Sequence, residues 1–353
     1  MSQRTVRFGL IGFGAWGQHH AQAIVGTPGA ALAGIVAPSE VSRAAAAAAH
    51  PGVPVFADHR ALLSSVRPDI VDVVTPSHTH LEITRDALAA GCDVLLEKPM
   101  AVTLEDCREI ARLARASGRR VAVGHEFRLS SQWGTIKDLI AAGRIGDPQY
   151  VLVELSRRPY RLGASGWRYD PQRVGSWVLE EPIHFFDLAR WYLASAGDPV
   201  ELYARGNSRD PARPHLHDNF SAMFSYANGA YAVVSQTLAA FEHHQTVKVA
   251  GTRGAVWAGW SGALDRTLEP TCFLKFFDGE TVHNLPLARH SGEVFELREE
   301  IARCVAMVRE GTPPAASAED GLWSAGLCLV AEESIRQARP LRIADWFTPP
   351  VSP

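Results

Sequence analysis

Gly12-Phe13-Gly14-Ala15-Trp16-Gly17 sets three glycines at G-x-G-x-x-G spacing, between the apolar run Val6–Ile11 and an alanine-rich segment reaching Ile24. The spacing alone is common. Between a strand and a helix at the start of a chain, it restricts the fold to a βαβ unit that holds a dinucleotide. Gly12 permits the tight turn, Gly14 lets the backbone approach a pyrophosphate, and Gly17 lets the helix lie close to the strand. Phe13, Ala15 and Trp16 complete the turn, and the free N–H groups of the helix start suit phosphate. The alternative is a glycine turn with no ligand.

Ala31–Val36 reads as the second strand. A site for NAD ends this strand in Asp or Glu, which bonds the ribose 2′-hydroxyl. Here the chain runs into Ala37-Pro38-Ser39, with Arg43 beyond. Ser39 and Arg43 suit a 2′-phosphate and favour NADP over NAD, while Glu40 keeps a ribose contact open. Arg43 otherwise reads as an exposed helix residue. The strand Ile70–Val74 ends in T-P-S-H-T-H, which sets Thr75, Pro76 and His80 on the nicotinamide side, unless the histidines simply open the next helix. Val94-Leu95-Leu96 then stops at Glu97-Lys98-Pro99. A short apolar run of this kind suits a buried parallel strand, whose carboxyl end is where ligands bind. Lys98 stands there as a proton-transfer or oxyanion-stabilising group, or as a surface lysine paired with Glu97. A helix over 103–118 and a strand over 121–124 continue the alternation, which predicts a doubly wound parallel sheet over residues 1–125.

Residues 126–353 read differently, as an α+β domain with a large open, mainly antiparallel sheet. Strands are expected at 150–156, 200–204, 219–226, 230–238, 245–250, 255–257, 273–277 and 281–285. Asn228-Gly229 is a strong hairpin signal. Helices are expected at 295–309 and 318–337, and the C-terminal segment is free to pack back on the first domain. Within W-V-L-E-E-P-I-H-F-F-D-L-A-R-W, Glu180, His184, Asp187 and Trp191 fall at helical spacing on one face. Pro182 suits the first turn. A carboxylate one turn before an imidazole can orient it for acid–base work. The alternative is a buried histidine satisfied by Asp187. A metal set of Glu180, Glu181 and His184 lacks a second histidine, so no metal is expected. The pairs His19-His20, His215/His217 and His243-His244 read as polar loop or hairpin residues.

The net charge of −3 argues against nucleic-acid and membrane-surface partners. No apolar run approaches the ~20 residues of a membrane span, and the chain enters its first strand without room for a signal peptide. Five cysteines, odd in number and with no C-x-x-C, read as core residues of a cytoplasmic protein.

Taken together, G-F-G-A-W-G at the N-terminus, E-K-P after the fifth strand and a carboxylate-x-x-x-His helix after residue 175 resemble the Gfo/Idh/MocA oxidoreductases. The resemblance implies a Rossmann domain and an open-sheet domain whose exposed face builds dimers or tetramers. It implies NAD or NADP, in some members tightly bound. It further implies hydride transfer to or from a secondary alcohol or ketone of a small-molecule sugar, sugar derivative or cyclitol. On that template Lys98 contacts the reacting oxygen, also facing the cofactor beside Glu97, His184 is the catalytic histidine, and Pro99 is cis. Glu180 stands where the family usually has Asp, and Pro182 where it often has Gly. From the residues themselves, Arg158 and Arg168, in a loop that also carries Arg157, Arg161 and Arg173, are candidate substrate contacts with Arg128, Glu180 and Glu181, and Trp167 and Tyr169 suit a sugar face; any single arginine of the loop otherwise reads as solvated. Inward-facing arginines fit an acidic sugar. Two other functions remain open. One is a glycoside-cleaving enzyme of the same family, using a retained NAD for transient C3 oxidation. The other is a non-catalytic dinucleotide sensor, which would need neither Lys98 nor His184.

Overall fold

The structure is a computed structural model and describes residues 4–238 and 240–347. The chain divides into two units, Met1–Glu126 with Val294–Leu322, and Phe127–Glu293 with Trp323–Pro353.

The first unit is built on a parallel sheet of β1 (Val6–Ile11), β2 (Ala30–Val36), β3 (Val55–Phe56), β4 (Ile70–Val73), β5 (Asp93–Leu96) and β6 (Val121–Val123). The spatial order is β3-β2-β1-β4-β5-β6. The order reverses beside β1, which creates the crevice where doubly wound sheets bind ligands. Helices α1 (Ala15–Gly26), α2 (Glu40–Ala49), α3 (His59–Val66), α4 (His80–Ala89) and α5 (Leu104–Ser117) are the crossovers. Their ends follow from local chemistry. Ser39, Asp58 and Thr103 cap α2, α3 and α5 by accepting from backbone N–H groups, and Gly118 ends α5 in the left-handed region. Strands β4 and β5 are buried throughout, as their apolar sequences require. Residues 294–322 join this unit because Leu297, Ile301, Val305 and Met307 fill one core with Val6, Phe8, Ile24, Ile70 and Leu95.

The second unit carries a nine-stranded sheet, introduced by α6 (Trp133–Ala141). Its strands are β7 (Pro148–Arg157), β8 (Pro199–Asn207), β9 (Asn219–Tyr226), β10 (Tyr231–Thr237), β11 (His243–Gly251), β12 (Ala255–Gly262), β13 (Thr271–Phe277), β14 (Val282–Asn284) and β15 (Leu341–Arg342). Their order is β14-β13-β12-β11-β7-β10-β9-β8-β15. The expected strands are present, most of them with ends displaced by a residue or several, and the short edge strand β15 is additional. One pairing departs from the antiparallel pattern: β10 runs parallel to β7 in the middle of the sheet. After α7 (Pro171–Val174), helix α8 (Pro182–Tyr192) lies on one face, with Phe186 stacked on Phe220 and Phe224. Long helices follow at Glu293–Glu310 and Ala318–Gln337.

The other face of this sheet is open. Cross-strand register aligns Met223, Val233, Leu152, Lys248 and Trp257 in one row. Met223, Tyr231, Trp257 and Phe277 are exposed there.

Candidate active site

The glycine turn differs from position to position. At Gly12 the backbone has φ +109°, and an added Cβ would lie 2.2 Å from the Val74 carbonyl oxygen. At Gly17 it would lie 2.2 Å from the Gly12 carbonyl oxygen. At Gly14 it would meet nothing within 4 Å. The fold therefore requires Gly12 and Gly17, whereas Gly14 leaves open space before the N–H groups of α1, whose first residue is Ala15. That is the cradle a pyrophosphate needs, so the residues fit a dinucleotide. Phe13 is buried and meets His50 edge-on.

At the end of β2, Ala37 is buried, and Ser39 spends its hydroxyl on capping α2. The Arg43 guanidinium is turned back over the strand end, donating through Nη1 to the carbonyls of Ala37 and Pro38 at 3.2 and 2.7 Å. Glu40 is exposed on the first turn of α2. After β4, Thr75 and Pro76 are half-buried, and the Thr75 hydroxyl meets that of Thr79 at 2.8 Å. His80 is fully buried. Its ring nitrogens lie 2.9 Å from the Thr75 carbonyl oxygen and 3.1 Å from that of Pro99. It therefore lies between the ends of β4 and β5 instead of lining a cleft, and the one N–H of the neutral ring donates to one of these two carbonyls. Burial lowers its pKa, against those carbonyls. The Lys98–Pro99 peptide is cis, and Lys98 is half-buried just past β5.

Glu97 is where the turn and the lysine are joined. Its Oε1 accepts from Trp16 Nε1 at 2.9 Å and lies 3.0 Å from His20 Nε2, while His20 Nδ1 lies 2.8 Å from Asp72. His20 belongs to the interior of α1 and is fully buried, not a loop residue as its sequence neighbourhood suggests. Burial opposes its charge, but Asp72 and Glu97 on opposite nitrogens raise its pKa well above the ordinary value. Burial likewise opposes ionisation of Glu97, yet His20, then Lys98 and Trp16, hold its carboxyl below the usual range. Glu300, buried nearby, is pushed well above the carboxylate range by burial and by the Glu97 charge. The readable signal for this network is Asp72, a carboxylate inside the Ile70–Val73 run of a strand buried on both faces.

In the second unit the helix bearing His184 begins at Pro182. Glu180 thus precedes the helix, and the i, i+4 spacing that set it on the His184 face does not apply. Its Oε2 accepts from Arg168 Nε at 3.0 Å. His184 is buried and stacks on Phe127, with ring centroids 4.6 Å apart at 29°. Asp187 is taken by Arg128, which donates Nε and Nη2 to its two oxygens, both at 2.7 Å and nearly solvent-free. Arg128 is therefore a structural partner of α8, not an open substrate contact. Glu181 is held by Arg157, by His243 at 2.7 Å and by Gln245 at 3.1 Å. These partners keep it well below the usual carboxylate range despite burial.

The two glutamates are thus claimed by separate arginines. Trp167 lies under the Arg168 guanidinium, and Tyr169 donates to the Tyr160 carbonyl at 2.8 Å and meets Trp177 edge-on. Both pack against the apolar cluster of Tyr160, Val174, Trp177, Leu216 and Leu238, which accounts for them without a ligand. His243 opens the strand β11, while His217 lies in the loop before β9, as expected, 3.0 Å from Glu332; both are buried. The only group of side chains at metal-ligand spacing among the described residues is His59, Glu82 and Asp86. There Arg60 already pairs with both carboxylates. No helix among the described residues is long and apolar enough to cross a membrane.

Comparison with known proteins bears on this arrangement. Residues 6–125 match the family described as "Oxidoreductase family, NAD-binding Rossmann fold", and residues 133–257 match "GFO/IDH/MocA C-terminal domain". The chain is 30% identical to 1,5-anhydro-D-fructose reductase of Ensifer adhaerens, over 76% of this chain and 79% of that one. It is 28% identical to inositol 2-dehydrogenase of Rhizobium meliloti, over 96% of this chain and all of that one. Among solved structures it resembles a putative myo-inositol dehydrogenase from Sinorhizobium meliloti. The TM-score is 0.80 and the identity 26%, covering 96% of this chain and 100% of the other.

Proposed function

The chain belongs to the Gfo/Idh/MocA family of NAD(P)-dependent sugar and cyclitol oxidoreductases, and from that premise we propose that it moves hydride between NADP and a secondary alcohol or ketone of a sugar, sugar derivative or cyclitol, acidic sugars included. The observation that carries this reading is the Trp16–Glu97 hydrogen bond. It ties the glycine turn directly to the residue before Lys98, so that the dinucleotide cradle and the lysine form one braced assembly. Arg43, turned over a strand end that lacks a carboxylate, supports the preference for a 2′-phosphate.

The nicotinamide supplies the position that takes up or returns hydride. Lys98 hydrogen-bonds the reacting oxygen and stabilises the charge that develops on it. His184 removes the hydroxyl proton in oxidation and gives it back in reduction. The open face of the nine-stranded sheet, with Met223, Tyr231, Trp257 and Phe277 exposed, supports assembly into a dimer or tetramer of a cytoplasmic enzyme.

The test mixes native protein with NAD or NADP and a panel of neutral and acidic sugars and cyclitols, following reduced cofactor and products together. Reduced cofactor accumulates with one of them, and Lys98→Ala and His184→Ala each lose at least about 100-fold in kcat while still binding dinucleotide. Near-normal turnover in both variants refutes the assignment. Glycoside cleavage without accumulating reduced cofactor replaces it with the elimination chemistry.

A further inference from the structure

Where β7, β11 and β12 end together in the second unit, a cavity of about 230 Å³ is lined by Arg157, Arg158, Arg161, Glu242, His243 and Asp265, among others. It falls below the ~300 Å³ at which pockets for drug-sized ligands begin, and so suits a small molecule or one arm of a larger one. Its charges are unequally used. The Arg157 guanidinium spans Glu181 and Asp265, 3.4 Å from the latter. Arg161 gives Nη2 to Asp265 at 3.2 Å. The Glu242 carboxylate lies 3.4 Å from His244 Nε2. Arg158, exposed at the mouth, makes no side-chain hydrogen bond or ion pair among the described residues. The wall thus offers one whole guanidinium and part of a second.

His243 belongs to the buried part of the wall. It is 2% exposed, its Nε2 faces the Glu181 carboxylate at 2.7 Å, and its Nδ1 is buried without a hydrogen-bond partner. The same Nε2 also lies 3.0 Å from the Gln245 amide nitrogen. Glu181 also locates the pocket, because its carbonyl accepts from the His184 N–H at 3.1 Å in the first turn of α8.

We propose that this pocket binds the carboxylate arm of a sugar or cyclitol acid, the oxyanion on Arg158 and Arg161. The proposal rests on the oxidoreductase reading, and narrows its substrate class to sugar or cyclitol acids. An acid anchored there lies beside the helix that carries His184. Asp265 sets the strength of the anchor, because it competes with the ligand for Arg157 and Arg161.

The test is calorimetric titration of the full chain, with and without NADP, by D-gluconate and D-glucuronate against D-glucose and myo-inositol. The acids bind and the neutral compounds bind at least tenfold more weakly. Arg158→Met weakens the acids about tenfold, in line with a charged hydrogen bond, and leaves the neutral compounds unchanged. Asp265→Asn tightens the acids severalfold, the opposite sign to that of lost structural support. No binding of either acid, unchanged affinity in Arg158→Met, or weaker binding in Asp265→Asn overturns the proposal. Calorimetry reads binding alone, so acid binding here with no cofactor reduction in the turnover assay would retain the pocket and discard the redox reading. Turnover of neutral sugars that is indifferent to Arg158→Met, with no acid bound, would do the reverse.

Discussion

Asp187→Asn isolates the ion pair that anchors the His184 helix. In the native chain Arg128 meets both oxygens of Asp187 at 2.7 Å, with the two side chains 5% and 3% exposed. Asparagine keeps the shape but removes the charge and one acceptor, leaving a buried guanidinium uncompensated. Breaking such a pair from one side costs about 3–5 kcal/mol, a large part of the ~5–15 kcal/mol that holds a domain together. At roughly 2–4 °C per kcal/mol for a unit of this size, the melting temperature should fall by about 6–20 °C. Arg128→Met should cost a similar amount and also lose the guanidinium over the Trp191 ring at 5.3 Å. The double change Arg128→Met with Asp187→Leu leaves no orphaned charge. It should cost at least about 2 kcal/mol less than the sum of the single effects. Urea and thermal unfolding of wild type, the single variants and the double variant, followed by circular dichroism, measure this. A loss below about 1 kcal/mol for Asp187→Asn, or strict additivity, would show that the pair contributes no more than a surface bridge.

The glycines predict a split. Gly12→Ala and Gly17→Ala should unfold or strongly destabilise the first unit, because each Cβ would sit 2.2 Å from a carbonyl oxygen. Gly14→Val should fold normally and lose dinucleotide affinity, which melting curves with and without cofactor will separate. Arg43→Ala should lower kcat/KM for NADP about tenfold and leave NAD nearly untouched; equal losses for both would discard the 2′-phosphate contact. His20→Gln tests the buried network through pH. The pKa of His20 is raised above its ordinary 6.5, so its contribution is full below that pH and is lost as pH rises through the folded value. Glu97 is lowered from 4.5, so its contribution is present above that pH and lost as pH falls through the folded value. The stability gap between wild type and variant should therefore be widest at about pH 4.5–6.5 and narrow on the alkaline side. A gap that is flat with pH in urea titrations would mean the ring packs there without its charge.

Much of the fold was legible because its signals are local. Thr103 and Gly118 mark the two ends of a helix, G-x-G-x-x-G its approach to a strand, and alternation the half-buried strands of the second sheet. The candidate site was legible only in part. The lysine after β5 and the helix of His184 are where their sequences put them. By contrast, the pairing of Glu180 with His184 presumed a helix already running at Glu180, whereas it starts two residues later, at Pro182. Arg128, Trp167 and Tyr169 look like ligand contacts in sequence and prove to be occupied with Asp187, Arg168 and Tyr160. His20 and His243 read as polar loop or hairpin residues, and they are buried in α1 and β11.

The sequence by itself determined most of the strands and helices, which face of each is apolar, and that a glycine turn opens a dinucleotide fold. Only the tertiary structure decided the parallel seam between β7 and β10, the return of residues 294–322 to the first core, and the partners of its buried charges. Periodicity and capping act over a turn or a strand, so a few neighbouring residues encode them. A buried ion, once stripped of water, must find its counter-charge wherever the folded chain brings one. For Glu97 that partner stood 77 residues away in sequence, and for Asp187 it stood 59.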